Sequence, residues 1–465
     1  MATTAPAPPA GVERLRGRLR GELLTPSDPG YEQARRLWNA AIDRRPALIV
    51  RCAGAADVLA GVEFARTAGL PLAVRGGGHS VAGTGSCDGG LVLDCSPMKA
   101  VRVDPAERTA WAEPGLLWGE LDHETQAFGL ATTGGIVTHT GIAGLTLGGG
   151  IGWLMRRAGA TCDNLLAAEV ATADGRLVRA SEREHPELLW GLRGGGGNFG
   201  VVTGFSYRLH QVGPAVLAGP LLHAADDAAE LLRFYRDFVR EAPDEFSSVL
   251  NLRYAPPLPF IPERLHGAPV VTVAVLWAGP LEEGERFLEP LRRYGRPLLD
   301  LVTVKPYAEH QRTFDATVPH GLRYYWKSEY LEDLSDAAVE ALAANAWQSR
   351  SPRSYTIVFQ LGGALARPGP DAGAFNGRRA GYAVNINAAT TPDDDADYDA
   401  QAAWARASWA ALRPLSAGVY ANFLSADDAD RVRAAYGPAW DRLVACKRAW
   451  DPDNLFRVNQ NVPPA

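Results

Sequence analysis

The stretch Val74-Arg-Gly-Gly-Gly-His-Ser80 decides how this chain is read. It runs on from Leu72-Ala-Val-Arg75, a short apolar strand. Upstream lie another apolar strand over 47–51 and an amphipathic helix over Ala55–Ala68 closed by Gly69, so the order is β-α-β and then the glycines. Gly76, Gly77 and Gly78 let the main chain turn through positive φ and present consecutive N–H groups. Such a nest is an anion cradle suited to a pyrophosphate. It is not a P-loop, because no Gly-Lys-Ser/Thr follows, nor a dinucleotide fingerprint opening a helix. Arg75, His79 and Ser80 flank it. A tight structural turn carrying a polar histidine is the competing reading.

Three further segments belong with the first. Thr138 to Leu154 reads THTGIAGLTLGGGIGWL and holds Gly141, Gly144, Gly148, Gly149, Gly150 and Gly152. That density implies backbone lying against something flat or charged. Arg193 to Thr203 reads RGGGGNFGVVT, with Gly200 and Val202 near its end. The C-terminus carries Asp451-Pro-Asp-Asn-Leu-Phe456 and then Asn459-Gln-Asn461, where a capped tail is the alternative.

A length of 465 residues suggests about three domain-sized units or two large ones. Hydrophobic residues at 46% and charged residues at 22% exclude disorder, collagen and coiled coil as the main state. The net charge of −6 argues against a nucleic-acid or anionic-membrane partner. No apolar run is long enough for a transmembrane helix. The five cysteines are irregularly spaced without a CxxC pair, so neither a metal site nor a redox pair is expected. They read as buried thiols in a reducing compartment. The N-terminal dozen residues read as a disordered tail rather than a signal peptide, which makes the expected location cytoplasmic.

Helices are expected over 12–20 and 31–42, the second with Tyr31, Ala34, Leu37 and Trp38 on one face. Strands follow at Leu91–Asp94, 101–103 and Thr109–Ala112, then a helix over 118–127. A hairpin turns around Asp174-Gly175. From about Gly213 the glycine runs stop. A helix over 225–241 alternates with strands at 248–253, Pro269–Trp277, 355–361 and 382–387, the pattern of an antiparallel sheet with helices on one side. A helix over 427–450, interrupted near Gly437-Pro438, closes the chain. The expected organisation is α+β: a tail over 1–12, one domain from 13–212 and 415–465, and a second over 213–414.

Taken together, the four segments resemble the FAD-linked oxidases of the vanillyl-alcohol-oxidase fold, in the berberine-bridge-enzyme-like branch. The similarity runs from about Arg44 to Val462. RGGGHS, a GxxxGGGxG segment followed by Asp163-Asn164, GGGGNFGVVT and DPxNLF…NQN all stand in the family's order. The resemblance implies a two-part FAD-binding domain of the PCMH type and an antiparallel sheet that roofs the isoalloxazine ring. It implies FAD bound covalently through His79, and a neutral imidazole is a competent nucleophile. It assigns cofactor contacts to Arg75, Gly76, Gly77, Gly78, His79, Ser80, Val137, Thr140, Gly141, Gly144, Gly149, Gly152, Gly200, Val202, Asn459 and Asn461. Many relatives add a second link through a cysteine four residues before the first glycine of the second block. That position is Val137 here, so a single tether is expected.

Two departures concern the catalytic base. Plant relatives end a Tyr-x-Asn-Tyr stretch with a tyrosine; here it reads Tyr420-Ala-Asn422-Phe423. A bacterial relative carries a glutamate on the roof strand where this chain has Ile357. Tyr420 and His139 remain as candidates, with Lys327 or an arginine available to lower the Tyr420 pKa. By strand alternation Tyr355, Ile357 and Phe359 share one face. As a substrate wall this face fits an aromatic or polyketide-like molecule better than a sugar; as the alternative it is plain core. Tyr324, Tyr325, Lys327 and Glu329 read as a solvated strand edge unless they serve the site. In the family, oxygen access depends on the residue inside the Gly141-to-Gly144 turn, here the bulky Ile142.

The expected activity is an oxidase that passes a hydride from a small natural-product-like substrate to FAD and electrons onward to O2, giving H2O2. A dehydrogenase or oxidative cyclase slow with oxygen is one alternative, and a non-catalytic flavin-binding or ligand-binding protein is another.

Overall fold

The computed structural model describes residues 9–349 and 351–465. Most of the expected tail lies outside the described residues. The expected helix over 12–20 is present but shorter, Val12–Arg16, with Val12 buried.

The glycine cradle grows out of a four-stranded sheet in the order Glu22–Leu24, Leu48–Arg51, Leu91–Asp94, Leu72–Arg75. The last three strands are mutually parallel and nearly all apolar, as strands buried on both faces must be. The helix Ala55–Ala68 covers them. Its Gly61 lies against Leu93, and Gly69 closes it at φ 64°. A five-stranded antiparallel sheet follows, ordered Val101–Asp104, Thr109–Ala112, Val201–Arg208, Leu165–Ala171, Leu177–Ser181.

The rest is dominated by one nine-stranded sheet. Its central run is Ala215–Ala224, Pro269–Trp277, Phe246–Tyr254, Tyr355–Gln360, Tyr382–Thr390, Arg323–Leu331 and Ser416–Gly418. One face packs on the helices Ala228–Val239, Leu281–Arg293, Asp336–Asn345 and Asp395–Leu412. The other face carries Tyr355, Ile357, Phe359, Trp326 and Tyr330, and meets Trp38, Trp153 and Tyr420 of the flanking segments. Among the described residues no helix is long and apolar enough to cross a membrane.

Three expectations need correction. The helix over 31–42 is only Tyr31–Ala34. Beyond it the chain becomes a strap. The Trp38 N–H donates to Gly78 O, and the Asn39 amide bonds Val81 O and Tyr324 O, so tertiary partners replace the helical ladder. The supposed solvated edge around Lys327 is a buried strand, Arg323–Leu331, paired along its length with Tyr382–Thr390 and at Tyr330 and Leu331 with Ser416–Gly418. Its charges are buried and matched: Lys327 lies 2.7 Å from Asp428 and Glu329 lies 2.6 Å from Arg431. The C-terminal helix starts at Val432 rather than at 427; its expected interruption falls at Gly437, whose φ is 50°, between Val432–Tyr436 and Trp440–Trp450.

Candidate functional site

The glycine segments converge on a cavity of about 1920 Å³, its open mouth included. Its floor is backbone. A Cβ on Gly77 would stand 2.5 Å from Gly141 N, and one on Gly76 would stand 2.8 Å from Pro114 O, so these loops can cross only as glycine. Gly144 and Gly197 instead face open space. Arg75 is turned to Asp94 at 2.8 Å and holds the loop's base.

His79 stands at the end of the cradle. Its imidazole stacks on Trp38 at 4.0 Å and 17°, and its Nε2 has no partner. Burial, and then His139 and His320, push its pKa well below the ordinary value, so the ring is neutral. His139 lies 5.1 Å from His79 and 5.0 Å from His320, with both ring nitrogens unpartnered. Burial lowers its pKa too, ahead of His320, with Asp315 opposing.

Val137, Thr140, Gly141, Gly144, Gly200, Val202 and Asn459 line the cavity with the cradle residues. Gly149, Gly152 and Asn461, expected there, do not. Gly149 abuts the Phe375 ring, and Gly152 packs against Gly134 O. Gln460 takes the place beside Asn459. His139 also stands off the wall. The C-terminal segment is a staple. The Asn459 amide donates to Gly197 O, Asn198 donates to Gln460 O, and the buried Lys447 joins Asp451 to Asn198 O and Phe456 O.

The opposite wall is the large sheet, which brings Tyr355, Ile357 and Phe359 to the cavity together with Trp326, Asn385 and Asn387. Tyr420 reaches the same space. Its hydroxyl accepts from Gly150 N and from Asn422 Nδ2, both at 2.8 Å. Burial nonetheless raises its pKa. Lys327 cannot lower it, because Lys327 faces the helix side and pairs with Asp427 and Asp428. Tyr355 is pushed up to about 12 by burial, against the Arg253 guanidinium 5.0 Å from its ring centroid. Ile142 does not guard the Gly141-to-Gly144 turn. Its side chain is fully buried in the core beneath, and Ala143 faces the cavity.

Sequence reasoning missed Trp38, Trp326, Asn385 and Asn387. The alternation of Asn385 and Asn387 within 382–387 was the available signal. The residues fit FAD. Gly144 and Gly197 leave open space along the floor, and the orphaned His79 Nε2 and Asn459 Oδ1 await partners. Among the described residues no cluster of His, Cys, Asp and Glu could hold a metal ion.

The cavity thus has a glycine-built floor under an antiparallel roof. Residues 46–181 match the FAD binding domain family, and 419–463 match the family described as berberine and berberine like. An FAD-linked oxidoreductase of Dictyostelium discoideum is 31% identical over 96% of this chain and 95% of its own. The (R)-6-hydroxynicotine oxidase of Paenarthrobacter nicotinovorans is 32% identical over 96% and 97%. The crystal structure of 6-hydroxy-D-nicotine oxidase from Arthrobacter nicotinovorans superposes with a TM-score of 0.86, at 31% identity over 96% and 98%. The chain belongs to the berberine-bridge-enzyme-like FAD-linked oxidoreductases.

Proposed function

We propose that the chain is an oxidase that holds FAD covalently through His79 and oxidises a small aromatic, natural-product-like molecule. When bound, FAD supplies a hydride acceptor and a route for electrons to O2, which leaves as H2O2. The carrying observation is the position of His79. It is half-buried and neutral, with its Nε2 shielded from solvent and free, beside a floor only glycine can build and across from an aromatic wall. The 6-hydroxynicotine oxidase relative, named for an aromatic alkaloid, supports that substrate class.

The residues divide the work. Trp38 holds the His79 ring by stacking. Tyr355, Ile357 and Phe359 exclude water above the substrate. Tyr420 remains protonated and offers its O–H as a donor. Neutral His139 can take up a proton, although it acts from behind the wall. An anaerobic substrate screen that follows flavin bleaching tests the reading, with air then admitted and peroxide measured. Bleaching without prompt re-oxidation would make the protein a dehydrogenase. Rapid-mixing reduction of Tyr420→Phe and His139→Asn, with a substrate from that screen, sorts their roles. A loss of about a hundredfold marks the base.

A further inference from the structure

The register of the large sheet sets Asn251, Ile357, Asn385 and Ser328 side by side across four strands. Residues opposite one another in neighbouring strands share a face; Ile357 and Asn385 line the cavity, and Asn251 and Ser328 flank them on the same face, just outside the lining. Three of its four members are neutral and polar, and all three are buried. Each has a side-chain atom without a hydrogen-bond partner: Asn251 Oδ1, Asn385 Oδ1 and Ser328 Oγ. In the next row Trp326 stands opposite Asn387. The Trp326 Nε1–H is unpartnered, while the Asn387 amide donates to Asn385 O at 2.9 Å. Leaving one buried polar atom unpaired costs about 1–3 kcal/mol, and native chains rarely leave several together.

Among the described residues no charged side chain lines this end of the cavity. Tyr355, Ile357, Phe359 and Phe423 complete the wall, and Arg75, on the floor, is already paired with Asp94. Arg253 sits one strand from Tyr355, outside the lining, with its Nε given to Tyr254 O.

We propose that this polar row recognises the substrate through an uncharged hydrogen-bonding group, a phenol hydroxyl or a ring amide, on an aromatic body packed against Tyr355, Ile357 and Phe359. The proposal rests on reading the cavity as the flavin and substrate site. A carboxylate would shed its hydration here and meet no cation on the wall. A sugar would turn most of its hydroxyls to apolar side chains.

Three probes with one ring test it on the holoenzyme: phenol, toluene and benzoate. Calorimetry gives Kd and the flavin absorbance reports location. Phenol should bind about fivefold or more tighter than either of the others, the scale of one net hydrogen bond. Asn385→Leu and Trp326→Phe should each bring phenol within about twofold of toluene while toluene binding holds, as expected when a single net hydrogen bond is removed. Thermal melts identify the folded variant, and Trp326→Phe keeps the ring if Asn385→Leu unfolds. Phenol without an advantage in the native protein, or with its advantage intact in both variants, would mean that bound water satisfies the row, and the proposal falls. Benzoate binding tightest, and lost in Arg253→Met, would replace it with an anion site. Phenol selectivity that depends on Asn385 but leaves the flavin spectrum unmoved would uphold the row and overturn the flavin-site reading.

Discussion

On the floor of the cavity backbone crosses backbone; on the roof side chains stand in rows across strands. The floor comes from short contiguous runs, RGGGHS and GGGGNFG, each complete within a few residues. The roof comes from strands as distant as Phe246–Tyr254 and Tyr382–Thr390, whose cavity-facing residues meet only through pairing. The floor therefore tolerates almost no side chain, while the roof is made of little else. Substitutions should break the floor outright and merely tune the roof.

The largest effect should follow Gly141→Val. The new side chain would collide with the Gly77 main chain, and neither loop can retreat, because Gly76 already abuts Pro114 O. We expect a loss of about 3 kcal/mol or more, seen as a sharp fall in Tm or as insoluble protein. Gly144→Val is the contrast, since nothing lies within 4 Å of its Cβ. It should melt close to the parent yet bind less FAD, measured as flavin per polypeptide. Equal Tm values for the two variants would remove the distinction between a glycine needed for chain crossing and one needed for the ligand.

His79→Ala should abolish the covalent link and keep part of the bound FAD, because the glycine cradle survives. Acid precipitation leaves a yellow pellet from the parent and a colourless one from the variant. Flavin released in full by acid from the parent protein would refute the tether.

This contrast also explains what the sequence reveals. The β-α-β entry, the cradle and the staple at Asn459 are legible because local chemistry specifies them. Even there, Gly149 and Gly152 look like cradle residues and are packing residues, since density of glycine does not say which side the ligand takes. The strand Arg323–Leu331 reads as solvated because its Lys327 and Glu329 find Asp428 and Arg431 about a hundred residues away. Trp38 reads as one face of a helix because nothing local announces that Gly78 O will capture its N–H.

Floor and roof meet at a seam with its own signature. Asp122, on the helix Trp118–Gln126, is fully buried and accepts a hydrogen bond from Gln311 Nε2 at 2.7 Å. Burial lifts its pKa from 3.8 to about 7, which Gln311 only partly offsets. A carboxyl raised in the folded state favours the protonated form there. Its contribution is therefore intact below about pH 4, declines as pH rises towards 7, and stays lost above. Asp122→Asn keeps the acceptor and removes the titration. The variant should gain on the parent between pH 5 and 8, by an amount on the order of a few kcal/mol, as denaturant melts at both pH values would read. Parallel pH profiles would place the charge elsewhere.

The smallest effect should distinguish the two faces of one roof strand. Ile357 and Val358 are neighbours in Tyr355–Gln360, and both are almost inaccessible to solvent. Val358 belongs to the closely packed cluster beneath the helices, whereas Ile357 borders the cavity. Removing methyl groups from a packed core loses contacts on every side, while trimming a side chain that ends on open space loses them on one. Val358→Ala should thus destabilise by about 2 kcal/mol, the usual scale for a core truncation, and Ile357→Val by about 0.5 kcal/mol or less. The order should reverse for ligands. Ile357→Val should alter the affinity for phenol or toluene, and Val358→Ala should leave it unchanged. If Ile357→Val is as destabilising as Val358→Ala and neither moves probe binding, then Tyr355, Ile357 and Phe359 form plain core, and the substrate wall must be sought on another strand.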